Sequence, residues 1–96
     1  MGWASSYIEQ LEQGETVSFR PRGQSMVPLI NSGDLVTVRP LNGDAPKKGD
    51  IVLCKVAGSQ YLHLVSAVRG DQYQISNNRG RINGWTGIRN IYGIKA

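Results

Sequence analysis

The chain has one cysteine, one histidine and one phenylalanine in 96 residues. A single Cys54 excludes an internal disulfide, and with His63 alone beside it the usual Cys/His zinc sites are excluded too. Long apolar runs are also missing. The longest stretches, such as Ile51-Val52-Leu53-Cys54, have about four residues, against the roughly 20 that span a bilayer. The first residues carry Glu9 and Glu12 and lack a basic segment followed by an apolar one, so no signal peptide is expected. These absences together predict a soluble, cytoplasmic protein with no membrane partner. No acid occurs after Asp71. Residues 49–96 therefore hold six basic and two acidic residues, whereas residues 1–48 balance at five of each. Arg79, Arg81, Arg89 and Lys95 form a basic C-terminal segment that would meet nucleic acid or else remain a solvated surface.

What is present is the composition of one small globular domain over residues 1–96. The apolar fraction is 40% and the charged fraction 19%, which argues against disorder. Twelve glycines are scattered along the chain as punctuation. Trp3, Tyr7, Ile8 and Leu11 share one helical face, Ser6 and Glu9 have capping-box spacing, and Gly14 is a stop. A short helix is predicted over about residues 4–13.

From Gly14 onward the period changes to two. Val17 and Phe19 alternate with polar neighbours, 34–39 is rich in β-branched residues, and 50–57 and 60–69 read as a hairpin turning at Gly58-Ser59. Shorter strands are expected around Tyr73 and Ile75, at 81–86 and at 88–94. The prediction is a mainly β fold over about 15–94 with one appended N-terminal helix.

The chemistry-bearing stretch is Gly23-Gln24-Ser25-Met26-Val27-Pro28, continued by Gly33-Asp34. Gly49-Asp50-Ile51-Val52 follows, then His63, then Ser76-Asn77-Asn78. In this order and spacing the boxes resemble those of the signal peptidase I and LexA-type serine peptidases, over about residues 17–80. The resemblance implies that family's small β fold, a soluble serine endopeptidase-like activity and no metal or cofactor. It makes Ser25 the nucleophile and places its main-chain N–H, with Gly23, at the oxyanion hole; Met26 would shape the substrate pocket. Family members use a lysine or a histidine as general base. Here His63 stands at that place, as in the Ser/His branch, although Leu64-Val65 follows it where that branch has Arg-Val. The acid of the later box is also missing, and Asn83 stands where it would be expected.

The chemistry agrees with a histidine. A serine hydroxyl is a weak nucleophile until a base removes its proton. An imidazole can do so near neutral pH, whereas a lysine must first lose several pKa units by desolvation. Lys55 remains a rival base. Asn77, Asn78 and Asp34 are candidate supporting residues, with turn roles as their alternative. Cys54 alternates with Val52 and Val56 and reads as a buried thiol. Ala57-Gly58 repeats the dipeptide that LexA-type proteins cleave in themselves, but it falls downstream of the serine, in the hairpin. The rival function is a binding module that keeps the fold without turnover and holds a protein or nucleic-acid partner. For nucleic acid, affinity would fall steeply with salt.

Overall fold

The computed structural model describes residues 2–23 and 26–96. Among these residues one helix, α1 (Ser5–Glu12), precedes seven strands: β1 (Val17–Phe19), β2 (Val36–Pro40), β3 (Ile51–Val56), β4 (Ser59–Arg69), β5 (Gln72–Ser76), β6 (Ile82–Gly87) and β7 (Ile91–Lys95). They form one antiparallel sheet in the order β1-β2-β7-β3-β4-β5-β6. The expected mainly β fold with a short N-terminal helix is what the chain adopts. A 3-10 turn (Ile88–Asn90) separates β6 from β7, within the stretch read as one strand at 88–94.

β3 explains how a small chain makes two cores from one sheet. Leu53 points to a cluster with Ile8 and Leu11 of α1, Phe19 and Val38. Its neighbours Val52, Cys54 and Val56 point the other way, to Val65, Tyr73 and Ile75. Period-two alternation thus buries both faces of the strand. On the second side the sheet coils until β6 meets β3. Thr86 Oγ1 donates to the Lys55 carbonyl at 2.8 Å. A buried hydroxyl satisfied in this way pins two strands that are not ladder neighbours.

Two local expectations are corrected. The Ser6/Glu9 capping box does not form, and α1 begins with no side-chain cap from its own N-cap residue, Ala4. Gln60 of β4 supplies the missing partner: its Oε1 accepts the Ala4 N–H at 2.7 Å, and its Nε2 donates to Ser5 Oγ at 3.0 Å. An orphan amide of the first turn is thereby satisfied from the sheet. The β3–β4 turn lies at Ala57-Gly58, one residue earlier than expected. Both residues have positive φ, 49° and 83°, as a two-residue type I′ hairpin requires, and Val56 pairs directly with Ser59.

Cys54 is fully buried and its thiol is pushed up to about 12 by burial. It should react with a thiol-specific disulfide reagent only as fast as the domain opens. A urea titration of the labelling rate checks this, with rapid labelling in native buffer as the contrary result.

Candidate active site

A hollow of about 200 Å³ lies between the loop that leads into β2 and the middle of β4. Gly23, Met26 and Ile30 line it from the loop, and Tyr61 and His63 from β4. Trp3 and Arg22 close a further side. Three of the sequence-predicted residues, Gly23, Met26 and His63, therefore share one cavity. Ser25 falls outside the described residues.

The loop is held by its own bonds. Gly33 N–H donates to the Pro21 carbonyl and Ile30 N–H to the Met26 carbonyl, both at 2.9 Å. Arg20 Nη1 donates to the Gly33 carbonyl at 2.9 Å. Gly23, at φ 116°, has a conformation that glycine adopts readily and other residues rarely. Its N–H donates to Ser32 Oγ at 3.3 Å, so the Gly23 amide already serves the loop. Met26 is buried in the helix-side core and fixes the loop to the sheet from below.

His63 is 9% exposed. Its ring stacks on Tyr61, with centroids 5.0 Å apart, and its Nδ1 lies 2.7 Å from Asn83 Oδ1. An amide oxygen only accepts, so Nδ1 carries the proton and the lone pair is on Nε2. Burial lowers the His63 pKa from its ordinary 6.5, and the Asn83 bond opposes that in part. The ring is thus held in the neutral, basic form.

Asn83 reaches the ring because of a bulge. The β5–β6 register runs Ile75↔Gly84 and then Ser76↔Ile82, which leaves Asn83 as the extra residue. Bulges re-aim side chains at functional sites, and the coiling of the sheet supplies the remaining approach.

The other predicted residues separate into different roles. Asn78 Nδ2 donates to the Val27 carbonyl at 2.9 Å, tying the β5–β6 turn to the loop that contains Ser25. Asn77 Oδ1 accepts the N–H groups of Arg79 and Arg81, both at 2.9 Å, which is a turn function. Asp34 is exposed and its Oδ2 accepts the Asn31 N–H at 2.9 Å, again a turn function. Lys55 does not line the hollow. The basic residues divide among the β5–β6 turn (Arg79, Arg81), the 3-10 turn (Arg89) and β7 (Lys95). Among the described residues no group of three or more His, Cys, Asp or Glu is arranged to hold a metal ion, and no helix is long and apolar enough to cross a membrane. Sequence reasoning missed Gln60 and the exposed position of Trp3, both of which line the hollow.

The family model described as Peptidase S24-like matches residues 3–81, most of the chain and every residue that lines the hollow. The chain belongs to the Peptidase S24-like family. No curated protein matches the chain. In this Peptidase S24-like chain the matched region ends just before Asn83, so the residue that orients His63 comes from outside it.

Proposed function

We propose that the protein is a serine endopeptidase in which Ser25 attacks a peptide carbonyl and His63 acts as general base. The observation that supports this most is the shared cavity. Gly23 and Met26, which bracket Gln24 and Ser25 in the sequence, line the same hollow as His63. Membership of a peptidase family supports it independently. Ser25 Oγ adds to the carbonyl carbon while Nε2 of His63 takes its proton. The C–N bond then breaks, and His63 returns the proton to the leaving amine. Water repeats the sequence on the acyl-enzyme and releases the acid. Asn83 is a positioning residue: by accepting from Nδ1 it keeps the lone pair on Nε2. It has the geometry of an orienting aspartate without the charge. An amide stabilises the imidazolium less than a carboxylate does.

A serine-directed fluorophosphonate probe tests the nucleophile without knowledge of the substrate. Ser25 Oγ would displace fluoride from phosphorus, leaving one covalent adduct per chain. Intact-mass analysis should show that adduct in the wild type and none in Ser25→Ala, with His63→Ala labelled at least about a hundredfold more slowly. Equal labelling of wild type and Ser25→Ala would exclude Ser25 as the activated nucleophile.

A further inference from the structure

Beside the His63 hollow lies a second, larger one of about 350 Å³, and the two share Trp3, Pro21 and Arg22 as a common wall. Its floor is aromatic. Tyr7 stacks on Phe19 with centroids 4.5 Å apart, and Trp3 meets Phe19 edge-on at 5.7 Å. Trp3 is 51% exposed, and the catalytic reading above gives it no task.

Three observations argue that this is a built surface and not a loose end. First, Trp3 is held: its indole N–H donates to the Gln60 carbonyl at 3.3 Å, while the Gln60 side chain bonds Ala4 and Ser5 on either side of the start of α1. An aromatic wall fixed in advance loses little entropy when a ligand meets it. Second, the charge is one-sided. Arg20 and Arg22 line the second hollow and no acid does. Arg20 is tied to the Gly33 carbonyl, whereas Arg22 is exposed and, among the described residues, no hydrogen bond or ion pair engages its guanidinium. Third, the hollow adjoins the proposed catalytic cavity, with Trp3, Pro21 and Arg22 lining both.

We propose that the second hollow is a substrate-selecting subsite for peptides carrying a large aromatic side chain next to an acidic one. The aromatic ring packs against Trp3, Tyr7 and Phe19, where ring-on-ring contact adds to simple burial. The acidic side chain meets Arg22, whose planar fork pairs with a carboxylate through two hydrogen bonds. This rests on the peptidase reading for the peptide's presence, but its selectivity is a property of the groove alone.

The test uses the full chain carrying Ser25→Ala, so that bound peptides are retained uncut. It is exposed to a random peptide library, and the retained sequences are determined. The expected result is enrichment of Phe, Tyr or Trp together with Asp or Glu at a fixed spacing. Arg22→Glu should reverse the charge preference to Lys or Arg. Trp3→Ala should weaken the best aromatic peptide about tenfold or more in fluorescence anisotropy, with an unchanged melting curve as the control for folding. Retention of no peptide, or a preference that neither substitution alters, overturns the proposal. The two readings fail separately. Peptides selected in this way but not cut by the Ser25 protein would remove the peptidase and leave the groove. Cleavage of sequences lacking both residues would leave the peptidase and remove the groove.

Discussion

His63→Ala and Ser25→Ala should each lower cleavage of a susceptible peptide by at least about a thousandfold, and the double substitution should lose hardly more than either alone. A nucleophile and its base act as one unit, so their removal is strongly non-additive. Losses that simply multiply would mean the two residues do not form a dyad. Asn83 supplies the finer test. Because burial holds the His63 pKa below 6.5, the acid limb of kcat/KM should have its midpoint below that value. Asn83→Asp places a carboxylate 2.7 Å or so from Nδ1, favours the imidazolium and should move the limb to higher pH. Asn83→Ala frees the tautomer and should lower kcat without moving the limb upward. A pH profile unchanged in Asn83→Asp would show that Asn83 does not orient the base. Stability follows the same shift. Above 6.5 the ring is neutral folded and unfolded. As pH falls from 6.5 to the lowered folded value, the unfolded chain takes up the proton first, so stability is lost in that window.

The local elements were legible from the residues. Val17 to Phe19 alternates buried and exposed positions, Ile51 to Val56 and Ser59 to Arg69 read as strands from their apolar, β-branched runs on either side of a glycine turn, and Ile8 and Leu11 mark the buried face of α1. Legibility failed where a side chain's partner is far away in sequence. Trp3 shares the helical spacing of Tyr7 and Leu11, yet it precedes α1 and is held to the outer surface by a carbonyl 57 residues away. Gln60 carries no signal at all: a glutamine at a strand start becomes the cap of a helix only through tertiary contact. Asn83 was legible as a position, where an acid would be expected, but not as a geometry. The bulge that turns it toward His63 is a property of the β5–β6 register, and nothing in Ile82-Asn83-Gly84 announces it apart from the glycine. The same distinction separates Asn77 from Asn78. They are adjacent and alike in sequence, but one closes its own turn and the other crosses to Val27.

Gly93→Ala should destabilise the domain by about 1–3 kcal/mol, and Gly93→Val should leave it largely unfolded, because overpacking of this size consumes much of the 5–15 kcal/mol that a domain has. Gly93 pairs with Pro40 on one side and Leu53 on the other, and α1 packs over β7 at this point. A Cβ there would lie 2.6 Å from the Arg39 carbonyl oxygen, 2.6 Å from Val38 Cγ1 and 3.1 Å from Leu11 Cδ1. The first of these is main chain and cannot rotate away, so either β2 parts from β7 or α1 lifts. Gly87→Ala is the matched control: its Cβ would meet only the Gln72 amide nitrogen, at 3.4 Å, and its φ of −84° suits any residue. It should change stability by less than about 0.5 kcal/mol. Urea unfolding followed by tryptophan fluorescence measures both. Equal midpoints for Gly93→Ala and Gly87→Ala would mean that α1 does not need the close approach. The consequence for the site follows from position. α1 carries Tyr7, and the residues before it carry Trp3, so a helix displaced by a side chain at 93 should disturb the aromatic hollow while leaving Asn83 and His63 in contact. Gly93→Ala is therefore expected to weaken peptide retention more than it slows probe labelling of Ser25.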